Sequence, residues 1–162
     1  MKLIRKLLIV VMIALSSHAN ARVPDAPGFR LPAQEGEIDL ADFRGKVVYL
    51  DFCASWCKPC IKSFPWMHYL KATYQDLGLE IVAINLDKEK SLAEDFLKLV
   101  DVNFIVAFDP DGKSAQNYHL VGMPSTYLIG RDGRLYASHI GFREKDKSKM
   151  EQAVKLLLKE SQ

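Results

Sequence analysis

A β-branched and aromatic run, Val47-Val48-Tyr49-Leu50-Asp51-Phe52, leads almost directly into Cys57-Lys58-Pro59-Cys60, after which apolar residues recur at helical spacing. A single charge over a strand's length is what burial on both faces requires, so the run predicts a central strand. Pro59 suits the first turn of a helix, where its missing amide hydrogen costs nothing. Ile61, Phe64, Met67 and Leu70 carry that helix to about Leu77, Pro65 is expected to kink it, and Gly78 ends it. Strand, paired cysteines and helix in succession put a reactive motif at the carboxyl end of a central strand, where open α/β sheets usually carry their sites.

The rest of the chain extends the alternation. Short apolar fragments at Phe29-Leu31 and Ile38-Leu40, set around Gln34-Glu35-Gly36-Glu37, predict a loose hairpin on the domain edge. Residues 80–86 read as a second buried strand, 92–99 as an amphipathic helix, 104–108 as a third strand and 114–119 as a short helix. Ser125-Ile129 and Leu135-Ile140 form a hairpin whose turn is signalled by Asp132-Gly133, and residues 147–159 close the chain as a helix. Strands alternating with helices imply an α/β sandwich. At 162 residues, 49% hydrophobic and 26% charged, the chain has room for one core.

The formal charge of +2 misleads, because Lys2, Arg5 and Lys6 lie in the first 21 residues, which hold no acid. The remaining 19 basic residues face 20 acidic ones, so nothing electrostatic points to nucleic acid. Residues 1–21 have a basic start, an apolar run from Leu7 to Leu15 and the small-residue pattern Ala19-Asn20-Ala21, the signature of a secretory signal cleaved after Ala21. An uncleaved membrane anchor is the alternative, but the apolar run falls short of the ~20 residues that span a bilayer. Export places residues 22–162 in a bacterial periplasm or at the cell surface, where the environment oxidises thiols. All three cysteines lie between positions 53 and 60, so they read as a site rather than as staples between distant segments.

The segment Asp51-Phe52-Cys53-Ala54-Ser55-Trp56-Cys57-Lys58-Pro59-Cys60 resembles the active-site segment of thioredoxin-fold proteins. Pro65 fits that family's kinked helix, and Gly122-Met123-Pro124-Ser125-Thr126 resembles the segment that holds its cis-proline. Asp42-Phe43-Arg44-Gly45-Lys46 and the extra helix from Leu92 are similar to the exported TlpA/ResA-like branch. The resemblance covers about residues 28–160. It implies a thioredoxin-like three-layer α/β/α sandwich with a mixed central sheet and an N-terminal β-hairpin extension.

Two thiols separated by two residues at a helix start close a disulfide with little backbone movement, the first exposed and the second shielded. Cys57 is therefore expected to attack, its thiolate favoured by backbone amides and the helix macrodipole, and Cys60 to resolve the mixed disulfide. Each step has a sulfur nucleophile and a sulfur leaving group, so no metal or organic cofactor is required. Asp51, an acid on an apolar strand, must be paired or protonated. The resemblance makes it the buried acid that accepts the proton of Cys60; a strand-end aspartate bound to backbone or solvent is the plain alternative. A cis Met123-Pro124 bond would set the proline ring against Cys57 and turn the Met123 backbone outward, so that substrate adds as an extended strand. An ordinary trans turn proline would do neither. Trp56 is expected to shield the disulfide and line the same surface, unless it serves packing alone.

Lys58, beside Pro59 between the cysteines, favours the Cys57 thiolate, whereas a charged Asp51 opposes it. Cys53 stands where the family most often has a large aromatic residue; burial as a small hydrophobe is the leading reading, ahead of a regulatory disulfide with Cys57. A zinc half-site is disfavoured because no second CxxC or close Cys/His pair follows. His68, His119 and His139 are isolated, as are Met67 and Met150, and each reads as a core or solvent residue; His119 or His139 with the two cysteines keeps a periplasmic copper-delivery protein as an alternative. A thiol peroxidase is a second one, although Ala54 occupies the position where a peroxidatic cysteine needs Thr or Ser. The resemblance favours a thiol:disulfide oxidoreductase working as a reductase, and nothing in the sequence demands more than a monomer. It would draw electrons from a membrane thiol carrier and act on exported proteins, including apocytochromes in cytochrome c maturation.

Overall fold

Every residue from Val47 to Cys53 is buried, and this run is the middle strand of a five-stranded sheet. In the computed structural model, which describes residues 22–160, the chain runs β1 (Arg30–Pro32), β2 (Glu37–Asp39), β3 (Val47–Cys53), α1 (Lys58–Tyr74), β4 (Leu79–Asn85) and α2 (Lys90–Val100), then β5 (Ile105–Phe108), α3 (Lys113–Asn117), β6 (Ser125–Ile129), β7 (Leu135–Ile140) and α4 (Lys147–Lys159). The sheet order is β5-β4-β3-β6-β7. β3, β4 and β5 are parallel, while β6 is antiparallel to β3 and β7 to β6, so the sheet is mixed as expected.

Alternation along β3 divides the core in two. Val47, Tyr49 and Cys53 join Phe64, Met67 and Leu70 of α1, Phe96 of α2 and Val154 of α4 on one face. Val48, Leu50 and Phe52 meet Phe29, Leu40, Phe43 and Tyr118 on the other. This second layer is thinner, built from α3, a short 3-10 turn at Leu40–Phe43 and the N-terminal segment. β1 and β2 form the expected hairpin as a separate antiparallel pair. It is tied to the sheet by the bridge between Ala33 and Ala107 and by Gln34 N donating to the Val106 carbonyl at 3.1 Å.

Pro59 lies in the first turn of α1 and Pro65 inside it; a 3-10 turn at Gln75–Leu77 follows, and Gly78 ends the segment at φ 92°. A side chain there would meet the Arg131 guanidinium at 2.6 Å as well as the left-handed backbone. Small boundary corrections have local causes. α3 stops at Asn117 rather than running to His119, because His119 sits at φ 51°, outside helical space. Leu86 falls outside β4, its N–H turned to the Cys53 carbonyl at 2.9 Å. The signal segment expected at residues 1–21 lies outside the described residues, and among those described no helix is long and apolar enough to cross a membrane.

Candidate active site

The strand–helix junction builds the site. β3 ends at Cys53, the Cys57 N–H donates to the Ala54 carbonyl at 3.0 Å to close a tight turn, and α1 begins with Cys57 as its N-cap. The seventeen-residue α1 thus points its positive dipole end at the first sulfur, with no acid in its first turn. Cys57 and Cys60 form a closed disulfide with Cα atoms 5.3 Å apart. Lys58 and Pro59 between them face solvent.

One expectation needs correcting. Cys57 does not stand open: it is 5% exposed, against 0% for Cys60. Both sulfurs have turned into the core cluster against which Met123 packs, so only a sliver of the first reaches the surface. The order of access survives at a much reduced level. Trp56, by contrast, is 67% exposed, which makes it a surface residue beside the dithiol rather than a packed cover over it.

The Met123-Pro124 bond is cis. Antiparallel pairing of Phe52 with Ser125 carries the register on to set Pro124 beside Cys53 at the mouth of the site, and Pro124 itself is buried. Asp51 lies on the dithiol face of β3, fully buried, with Thr126 Oγ1 donating to its Oδ1 at 2.8 Å and Oδ2 left without a hydrogen-bond partner. Burial raises its pKa to about 7, against the weaker pull of the Thr126 and Ser63 hydroxyls. Ser63 spends its hydrogen on the Cys60 carbonyl at 2.8 Å, and Cys60 Sγ lies 3.9 Å from the Phe52 carbonyl oxygen. An acid that changes charge near neutrality thus shares its surroundings with the inner sulfur.

Cys53 is fully buried, and burial, followed by the charges of Asp51 and Asp87, pushes its thiol well above the ordinary range. It remains a neutral core residue, as its size suggested. His68 bonds the Asp101 carbonyl at 2.6 Å, His119 follows α3, and His139 lies on β7. Among the described residues no group of three or more His, Cys, Asp or Glu could hold a metal.

A carboxylate absent from the sequence reading fixes the turn before the dithiol. Asp87, 4% exposed, accepts from Ser55 N at 2.9 Å, Ser55 Oγ at 2.8 Å and Asn85 Nδ2 at 2.8 Å, while its own N–H donates to Asn85 Oδ1 at 2.9 Å. The only sequence signal was an Asn-x-Asp at the end of β4, on the same sheet edge as the cysteines. Asp87→Ala should leave these donors unpaired and cost about 1–3 kcal/mol in urea unfolding. An unchanged midpoint would show that the turn holds without it.

A profile of the AhpC/TSA family matches residues 24–138. The thiol-disulfide oxidoreductase ResA of Bacillus thuringiensis subsp. konkukian is 36% identical over 132 residues, covering 81% of this chain and 75% of that protein. ResA of Bacillus subtilis is 38% identical over 112 residues, covering 68% of this chain and 63% of its own. A crystal structure from Chlorobium tepidum, described as a thiol:disulfide interchange protein DsbE, superposes with a TM-score of 0.83 at 45% identity, over 85% of this chain and 97% of that one.

Proposed function

Because the chain belongs to the AhpC/TSA family and is a thiol-disulfide oxidoreductase on a thioredoxin-like fold, we propose that it works in the reducing direction, on cysteine-containing proteins outside the cytoplasm. The observation that carries this direction is Asp51, fully buried on the same face of β3 as the cluster that holds Cys57 and Cys60. A strongly oxidising dithiol needs its reduced thiolate stabilised. Here the favourable charge, Lys58, is in solvent at a dielectric of about 80, whereas ionised Asp51 acts through protein at an effective value of about 20. At equal distance the unfavourable charge outweighs the favourable one, and it works against the helix terminus that favours the thiolate.

In this reading the Cys57 thiolate attacks a target disulfide, forming a mixed disulfide and releasing one target thiolate. Cys60 gives its proton to Asp51 and attacks the Cys57 sulfur; the second target sulfur leaves, and both target thiolates take protons from water. Two electrons pass to the target, and the Cys57–Cys60 disulfide remains to be reduced by a dithiol carrier in the membrane. No metal or organic cofactor takes part, and the protein acts as a monomer, Met123 and Pro124 receiving an extended target segment with Trp56 at its side. Apocytochromes awaiting haem are the targets that the relationship to ResA suggests. The leader pattern at residues 1–21 supports export to a periplasm.

Equilibration with glutathione or dithiothreitol buffers tests the direction. The reduction potential is expected nearer the ~−270 mV of thioredoxin than the ~−120 mV of a strong oxidant, and a value at the latter end would reverse the assignment.

A further inference from the structure

Asp51 is sealed in the core, so a proton it accepts in one half-cycle either goes back to Cys60 when the disulfide is reduced again or leaves for solvent, and leaving needs a path out of the core. Resting on the reading of Asp51 as acceptor for Cys60, we infer that Thr126, Tyr49 and the cavity beneath α4 form a proton port between Asp51 and solvent, with His139 at its mouth. Thr126 Oγ1 has one hydrogen and donates it to Asp51 Oδ1 at 2.8 Å. Tyr49 Oη lies 3.3 Å from the same Oγ1, so when Asp51 is ionised the phenol is the group that donates to Thr126. Tyr49 and Thr126 in turn line a cavity of about 90 Å³, roofed by Met150 and Ala153 of α4 and edged by His139 and Lys149. That is room for more than one water. Lys149, exposed, and the His139 side chain, about a quarter exposed, mark the outer end.

Among the described residues, the other neighbours of Asp51 do not line this cavity. On α1 the Ser63 hydroxyl is committed to the Cys60 carbonyl, and Trp66 is buried beside Tyr49. On β3 itself Cys53 is a neutral thiol, and across the sheet β4 presents Ala83. Burial and the charge of Asp51 hold the Tyr49 phenol protonated, so it passes a proton only by giving one up as it takes one in. Release then runs in three hops: Asp51 gives its proton to Thr126 Oγ1, Thr126 passes its own hydrogen to Tyr49 Oη, and Tyr49 passes its own to a cavity water. One proton leaves and both hydroxyls are restored. Thr126 and Tyr49 are positioning residues here, since neither touches the sulfurs' substrate.

The test is the ¹³C signal of the Asp51 carboxyl carbon, followed through its titration near pH 7 in the oxidised full chain. Wild type should show one exchange-averaged line. Tyr49→Phe should keep the midpoint but slow exchange roughly tenfold, the barrier of one lost hydrogen-bond link, and so broaden or split the line. Ala153→Leu, which fills the cavity without touching the hydroxyls, should do the same. Thr126→Val should also move the midpoint upward, because the carboxylate loses its donor, and Thr126→Ser should restore both. If Tyr49→Phe and Ala153→Leu both exchange at the wild-type rate, the port is refuted. Failure of the underlying reading looks different: Asp51→Asn would then leave the Cys60 resolving step at full speed, whatever the carbon signal reports.

Discussion

Cys57→Ser is expected to abolish disulfide exchange, while Cys60→Ser should keep the first attack and stall there, leaving the protein covalently bound to its target. The prediction comes from the asymmetry at the start of α1. Cys57 is the N-cap, in the field of the helix terminus, and it alone keeps any surface. Cys60, with none, meets only a sulfur delivered to it from within the site. Turnover of insulin with dithiothreitol should fall by orders of magnitude in either variant, since the serine hydroxyl is not ionised at neutral pH and multiple turnover needs both sulfurs. Non-reducing gels of Cys60→Ser expressed in the native host should show mixed disulfides that vanish in the double variant. Adducts that persist through Cys60, with Cys57 replaced, would invert the assigned order. Tight Cu(I) binding with little insulin turnover in the parent protein would favour the copper-delivery alternative instead.

The second large effect is expected at Asp51, where replacement should move function and stability in opposite directions. The folded carboxyl titrates at about 7, against an ordinary 3.8. Below about pH 4 both folded and unfolded chains hold the proton, and burial of the neutral acid adds no charge penalty. As pH rises from 4 to 7 the unfolded chain ionises first, so the folded state loses stability steadily, and above 7 the full loss remains. The gap corresponds to about 4 kcal/mol as an upper figure. Asp51→Asn should therefore be more stable than wild type by a few kcal/mol at pH 8 and close to it at pH 4, measured by urea unfolding at both. Parallel stability curves for the two proteins would refute this. The same change should slow resolution of the mixed disulfide on the order of 10–100-fold, at the low end of what a lost general base costs. A protein that becomes sturdier as it becomes slower shows where an unfavourable burial has been kept for chemistry.

Much of this was legible in the chain because it depends on local pattern. Residues 125–129, 135–140 and 147–159 fall within the strands and helix their sequences announce, since alternation, an Asp-Gly turn and a clear amphipathic repeat all agree there. Asp51 could be placed in the core for the same reason, as one charge in a run with no polar face. Its partner could not. Thr126 is 75 positions away and meets Asp51 only because β6 pairs antiparallel with β3 in one register of several that the pattern allows. Asp87 was missed because a loop carboxylate carries no periodicity, and its three donors assemble only once β4 stops level with β3. The openness expected of Cys57 was the reverse error: a motif told which sulfur comes first, whereas the depth to which the closed disulfide sinks depends on core packing that spacing does not encode.

The bridge from the N-terminal hairpin to β5 has a bearing on the company this protein keeps. An enzyme that acts on cysteine-containing proteins meets chains whose strands can add to a bare strand edge, and an open edge would collect them indiscriminately. Ala33 and Gln34 occupy part of the β5 edge with a piece of the same chain, so an intruding strand meets bonds already made. The hairpin serves as a selvedge that closes this part of the sheet to pairing away from the sulfurs.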